Sequence, residues 1–259
     1  MVNRIEGAVP EVALQGVGKK FRRGAAVLKD ISLSVERGEF VTFLGPSGCG
    51  KSTLLRIVSG LSPVSEGSVR VNGMTPEDAR ELMSFIFQDA TLLPWRTVEQ
   101  NVGLGLELEY AARAVREERV ARMLELVGLS SAARRYPRQL SGGMKMCVSI
   151  ARALVSRPRL LLMDEPFAAL DEISRDRMNE ELLRLHAEHR WTVLFVTHSV
   201  AEAVFLSSRI VTLAPHPGRV AHELQVDLPW PRTAATRESR EFEEFVTRAS
   251  RLLRGAHQQ

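Results

Sequence analysis

Three stretches of this sequence concentrate residue types that handle phosphate. Gly45-Pro46-Ser47-Gly48-Cys49-Gly50-Lys51-Ser52-Thr53 matches a phosphate-binding loop in full. At a helix N-terminus, the N–H groups of Gly48, Gly50 and Lys51 would present partial positive charge to a β-phosphate. Lys51 adds a full charge for the β/γ oxygens, and the Ser52 hydroxyl suits Mg²⁺. Asp164 and Glu165 end the apolar run Leu160-Leu161-Leu162-Met163. Paired carboxylates at the end of a buried strand are costly unless they meet a cation or a proton-transfer task. Asp164 is expected to hold Mg²⁺ through water, and Glu165 to polarise an attacking water as general base. The alternative is that both cap a following helix, which Glu165-Pro166 would suit. The third stretch, Leu140-Ser141-Gly142-Gly143-Met144, opens a helix whose free N–H groups and Ser141 hydroxyl form a second anion site. The two glycine-rich stretches are too far apart to serve one site in one copy, so a site between two copies is expected.

The elements that must position these residues are readable from hydrophobic patterning. Phe40 to Leu44 is a nearly continuous apolar run, as in a strand buried on both faces, and Ser52 to Val58 has helical spacing. Strand, glycine loop and helix in that order is the context a phosphate loop requires. Further buried strands are expected at Ser84–Phe87, Leu160–Met163, Val193–Thr197 and Ile210–Leu213. Short strands are expected at Val12–Val17 and Ile31–Val35, separated by the turn Arg22-Arg23-Gly24. From about Asp89 to Arg157 the pattern turns helical, at Val98–Leu108, Arg113–Val127 and Gly142–Val155, as in a lobe inserted into a sheet-based core. Another helix is expected over 173–189. A tail after Pro215-His216-Pro217-Gly218 holds a strand at Val220–Val226 and a helix near Arg237–Arg254.

The bulk properties narrow the class. With 259 residues, 44% hydrophobic and 25% charged, the chain has the make-up of an ordinary α/β globular protein. No uncharged apolar run approaches the roughly 18 residues of a membrane span. Met1 to Glu6 lacks a secretory apolar core, which points to the cytosol. Cys49 and Cys147 make neither a disulfide framework nor a zinc site and are expected to be reduced and structural. The net charge of +4 comes from arginines dispersed among acids, which fits a solvated surface rather than nucleic-acid binding.

From about Val12 to Gly218 the motif order resembles the nucleotide-binding subunit of an ATP-binding cassette (ABC) transporter. The resemblance implies an α/β P-loop NTPase (RecA-like) core with an inserted α-helical lobe and an N-terminal antiparallel β region. The chain would be one ABC ATPase domain over 1–259, with core about 1–88 and 158–215, lobe about 89–157 and tail about 216–259. ATP and Mg²⁺ are the implied cofactors, with residues 45–53 cradling the nucleotide. Gln88, after Phe85-Ile86-Phe87, would contact Mg²⁺ and the attacking water. His198, in Val196-Thr197-His198-Ser199, would be the switch histidine that bonds the γ-phosphate and orients the water. Ser141, Gly142 and Gly143 would cap the γ-phosphate held by the opposite subunit, and Asp171 would cross the dimer seam. Phe21 stands where an aromatic ring stacks on adenine, a role that needs only the ring. Two departures stand out: Lys145-Met146-Cys147 replaces the family's frequent Gln and Arg, which removes any contact of an Arg at position 147. Ala168 replaces a frequent Gly or Ser.

Leu92-Leu93-Pro94-Trp95-Arg96-Thr97-Val98 and Ala214-Pro215-His216-Pro217-Gly218-Arg219-Val220 look like the ATPases of nitrate, sulfonate and taurine importers. The chain's end soon after the second segment leaves little room for an added regulatory domain. The implied partners are a second ATPase subunit, in a homodimer, two membrane permease subunits and, indirectly, a solute-binding protein. The implied location is peripheral, at the cytoplasmic face of the inner membrane. An exporter ATPase, or a non-transport ABC ATPase of DNA repair or translation, is the alternative. The latter commonly has paired cassettes or a long coiled-coil insertion, neither of which is seen. A simple P-loop kinase is disfavoured by the 141–143 motif and His198.

Overall fold

The computed structural model describes residues 9–21 and 24–257; the expected turn at Arg22-Arg23 and the Met1–Glu6 segment lie outside the described residues. In chain order the strands and α-helices are β1 (Val12–Lys20), β2 (Ala26–Val35), β3 (Phe40–Leu44), α1 (Lys51–Val58), β4 (Glu66–Val71) and β5 (Met83–Ile86). Then come α2 (Val98–Val102), α3 (Leu104–Leu108), α4 (Arg113–Leu126), α5 (Gly142–Leu154), β6 (Leu160–Asp164) and α6 (Glu172–His189). The rest are β7 (Thr192–Thr197), α7 (Val200–Leu206), β8 (Arg209–Ala214), β9 (Arg219–Gln225), α8 (Ala234–Arg237) and α9 (Arg240–His257).

Two sheets form, one of three strands ordered β2-β1-β4 and one of six ordered β5-β6-β7-β3-β8-β9. In the larger sheet β5, β6, β7, β3 and β8 run parallel, and β9 joins β8 antiparallel. Phe40–Leu44 and residues 160–163, 193–197 and 210–213 are buried on both faces as expected, whereas in the edge run 84–87 only Ile86 is fully buried. Leu160 and Leu162 pack with α1 and the antiparallel strands, while Leu161 and Met163 pack with the helical segment and the tail. Alternation with period two along a doubly covered strand produces this division. Parallel pairing also gathers strand ends. Leu44 is in register with Thr197, Asp164 with Val196, and Ile86 with Met163. The loops after β3, β5, β6 and β7 therefore leave from one edge of the sheet, the usual place for a ligand in such folds.

Several boundaries differ from the sequence expectation. β2 is longer and begins at Ala26; its charged Lys29-Asp30 lies beside register shifts in the β1–β2 pairing, and Asp30 has φ 50. The expected helix 98–108 divides at Gly103 into α2 and α3. β5 ends at Ile86, which leaves Phe87 and Gln88 in the following loop. Strand β4 and helix α7 were not expected at all.

The tail is fastened to α7. Arg232, only 3% exposed, donates to the carbonyls of Val204, Phe205 and Ser207 at the helix's C-terminal end and to those of Val226 and Leu228. Burial pushes its guanidinium down to about 10. Arg237 lies over the Phe205 ring at 3.7 Å and reaches Asp176 of α6 at 3.0 Å.

Candidate active site

The phosphate loop runs from the end of β3 into α1. Gly50 caps the helix at φ 97, and a Cβ there would lie 2.5 Å from Leu28 Cδ2, so only glycine fits. Cys49 is fully buried beneath the loop, and burial pushes its thiol up, as a structural cysteine requires. Lys51 Nζ donates to Gly45 O at 2.7 Å and Pro46 O at 2.8 Å, so the ammonium is gathered under the loop. Ser47 and Gly48 are exposed at its crest, and Ser52 and Thr53 are half-buried in the first helical turn.

Ser52 Oγ donates to Asp164 Oδ1 at 2.8 Å, across 112 residues of sequence. Asp164 is 3% exposed. Burial raises its pKa, with the Ser52 bond opposing, Glu165 adding repulsion, and Arg56 and Lys51 lowering it again. A buried carboxylate in that balance is suited to a cation, which would reverse the penalty. Two hard oxygen donors beside a phosphate loop fit Mg²⁺, which takes one or two protein oxygens and completes its shell with phosphate and water. Among the described residues no cluster of three or more His, Cys, Asp or Glu could hold a metal by itself.

Glu165 sits at φ 48, a left-handed conformation uncommon outside glycine, and its N–H donates to Val196 O at 3.0 Å. That turn brings its carboxylate to the next strand's end, where His198 Nδ1 lies 3.4 Å from Glu165 Oε2. His198 is the more exposed of the two, 67% against 21%. Gln88 is exposed two residues beyond β5, at the same sheet edge. Residues 45–53, Asp164, Glu165 and His198 thus converge, with Gln88 beside them.

The remaining candidates lie elsewhere. Ser141 caps α5 and accepts from Met144 N–H at 3.3 Å. A Cβ at Gly143 would meet Leu170 Cδ2 at 3.1 Å, so the glycine pair abuts the loop that ends in Asp171. Asp171 caps α6, accepting from Ser174 N–H at 2.9 Å, a bond that holds its carboxyl below the usual range. Ser141, Gly142 and Asp171 are all exposed. No hydrogen bond among the described residues joins 141–143 to the phosphate loop. Phe21 is 53% exposed at the end of β1, with Lys19 Nζ 5.0 Å from its ring centroid.

The family model described as "ABC transporter" matches residues 28–168, which takes in the phosphate loop, Gln88, residues 141–143, Asp164 and Glu165. The chain belongs to the ABC transporter family. The aliphatic sulfonates import ATP-binding protein SsuB of Bacillus licheniformis is 45% identical over 218 residues, covering 83% of this chain and 84% of that protein. An uncharacterised ABC transporter ATP-binding protein of Methanocaldococcus jannaschii is 45% identical over 227 residues, covering 88% and 84%. Among solved structures, the dimeric ATP-binding cassette MJ0796 in a post-hydrolysis state bound to ADP and Pi superposes with TM-score 0.78 at 33% identity, covering 84% of this chain and all of that one. The fold is that of the ABC ATPase cassettes.

Three residues of this ABC protein that serve the site escaped the sequence reading. Arg152, near the end of α5, donates to Thr91 O at 3.0 Å and Ala90 O at 3.1 Å, tying the helix that begins at Ser141 to the loop after Gln88. Arg175 donates to Phe167 O at 3.3 Å and Leu170 O at 2.9 Å, holding the loop before Asp171. Asn101, fully buried, bonds Leu93, Arg96 and Thr97 and so fixes the Leu93–Thr97 turn. Arg152 and Asn101 stand among apolar helix positions, which was the available signal, whereas Arg175 lies in a charge-rich stretch that gives none. The Lys145-Met146-Cys147 departure is mild in place: Met146 is a core residue, and the partly buried Cys147 thiol, its pKa raised by that burial, has Arg177 nearby.

Proposed function

We propose that this chain is the ATP-hydrolysing, energy-coupling subunit of an importer for a small solute of the nitrate, sulfonate or taurine kind. The observation that carries the reading is the joining of Ser52 to Asp164 and of Glu165 to His198 at the mouth of the phosphate loop. Lys51 and the loop N–H groups bind the phosphates. Ser52, Asp164 and Gln88 would hold Mg²⁺, which would supply charge neutralisation to the phosphates. Glu165 accepts the proton of the attacking water, and His198 aligns it. Phe21 stacks on adenine. A second copy supplies Ser141, Gly142 and Gly143 over the γ-phosphate, and Asp171 crosses the seam. The exposure of Ser141, Gly142 and Asp171, and the lack of any hydrogen bond from 141–143 to the phosphate loop among the described residues, support that reading, and the dimeric cassette MJ0796 supports the pairing. Import rather than export is supported by the sulfonate-import relatives.

The chain would act as one ATPase domain, with a lobe over about 89–157 turning against the core. No helix among the described residues is long and apolar enough to cross a membrane. On this reading two permease subunits anchor the pair at the cytoplasmic face of the inner membrane, and a solute-binding protein acts through them, as the sulfonate-import relatives suggest. Phosphate release from ATP by the purified chain tests the activity; a chain that binds ATP without releasing phosphate under any Mg²⁺ supply would overturn it.

Trp95 is 71% exposed on the turn that Asn101 holds, so it does not pack inside its own lobe. An exposed tryptophan beside Pro94 suits a groove for a short permease helix. Trp95→Ala is expected to lower permease-stimulated ATPase activity and transport about tenfold or more, the scale of a lost aromatic anchor, and to leave basal ATPase activity unchanged. Equal stimulation in the variant would remove Trp95 from the coupling surface.

A further inference from the structure

The hydrolysis reading leaves unused a buried carboxylate close to His198, that of Glu202. Glu202 lies on α7, one turn beyond His198, and is only 6% exposed. Burial raises its pKa, and the Thr197 hydroxyl, Arg175, Asn179 and His198 oppose that rise. Burying a carboxylate costs free energy that an apolar side chain would avoid. Its placement therefore calls for an account beyond packing.

The hydrogen bonds supply one. Ser199 N–H donates to Thr197 Oγ1 at 3.0 Å, and the Thr197 hydroxyl in turn donates to Glu202 Oε2. In the opposite direction Glu202 N–H donates to Ser199 Oγ at 3.3 Å. Ser-x-x-Glu at a helix start ordinarily makes a capping box in which the glutamate bonds the cap N–H directly. Here the Thr197 hydroxyl is interposed, so the box encloses the whole turn Thr197-His198-Ser199. His198 makes its 3.4 Å approach to Glu165 from the middle of that turn. Each bond in the chain polarises the next, which stiffens the turn beyond what a cap alone would. Arg175, whose positive charge favours the ionised Glu202, is the residue that holds the carbonyls of Phe167 and Leu170 ahead of Asp171. The carboxylate thus stands between the histidine turn and the loop that leads to Asp171.

We propose that Glu202 is a positioning residue for hydrolysis: acting through the Thr197 hydroxyl, it fixes the turn that aims His198 at the water held by Glu165. The proposal rests on the hydrolytic reading given above. It differs from a purely stabilising cap in predicting that Glu202 and Thr197 act on turnover as one unit.

The test is a double-mutant cycle on the purified full-length chain, with kcat, KM for ATP and Tm measured for each variant. Thr197→Val and Glu202→Ala are each expected to lower kcat about tenfold with KM unchanged. The double variant should fall no further than either single one, because both break the same chain. Glu202→Gln keeps an acceptor for the Thr197 hydroxyl and should retain kcat within about threefold of wild type, whatever its effect on Tm. Additive losses in kcat, wild-type kcat in Thr197→Val, or Tm losses without a kcat loss would each overturn the proposal. If Glu202→Ala does not fold, Thr197→Val and Glu202→Gln decide alone: a tenfold loss in the first with retention in the second supports it, and any other pair contradicts it. Wild-type chain and Glu165→Gln are assayed alongside. Absence of turnover in the wild type would sink the hydrolytic reading itself, whereas normal wild-type turnover with additive variants would sink only the role of Glu202.

Discussion

Glu165→Gln is expected to lower ATP turnover by roughly a hundred- to ten-thousand-fold, the range lost when a general base is removed. The amide keeps the length and volume of the side chain and can still meet His198 Nδ1, now 3.4 Å from Glu165 Oε2. It cannot take a proton from water near neutral pH. The backbone demand at φ 48 is no greater for Gln than for Glu, so the turn after β6 should persist. On the proposed site ATP binding rests on Lys51, Ser52 and the loop N–H groups, so it should be unchanged. Single-turnover phosphate release measures the chemical step directly, and near wild-type rates would remove Glu165 from the base role.

Lys51→Ala is expected to weaken ATP binding itself by about ten- to a hundredfold, the 1.5–3 kcal/mol scale of a hydrogen bond to a charged group. The ammonium is buried and already aimed along the loop, where it bonds Gly45 O and Pro46 O. Its removal also leaves those carbonyls without their donor, which costs about 1–3 kcal/mol of stability if they stay dry. Affinity is therefore measured by titration well below the variant's Tm. Unchanged affinity would show that the loop at 45–53 is not where the nucleotide binds.

The phosphate loop and the Asp164-Glu165 pair were legible because each follows a continuous or nearly continuous apolar strand, and strand-then-loop is local information. The parallel register that joins Ser52 to Asp164 across 112 residues was not local, yet the buried pattern of β3, β6 and β7 implied it. What escaped was short or non-periodic. Strand β4 carries only Val69 and Val71 as buried residues and depends on pairing with β1. Helix α7 is the short run Val-Ala-Glu-Ala-Val-Phe-Leu, whose apolar content does not distinguish helix from strand. Its Ser199 cap and the Thr197 hydroxyl interposed before Glu202 emerge only from the structure. Arg152, Arg175 and Arg232 act on backbone carbonyls, so no partner residue type in the sequence pointed to them.

The proposed site holds ATP between two copies, with Ser141 of one over the phosphate loop of the other. The most direct test is the mass in solution of Glu165→Gln with ATP, by light scattering, compared with Glu165→Gln carrying Ser141→Arg. Both should bind ATP equally, since Ser141 is exposed at the start of α5 and makes no bond to its own chain's phosphate loop among the described residues. The single variant should form an ATP-dependent dimer, and the bulky guanidinium should keep the double variant monomeric. A double variant that dimerises with ATP as fully as the single one would contradict the account.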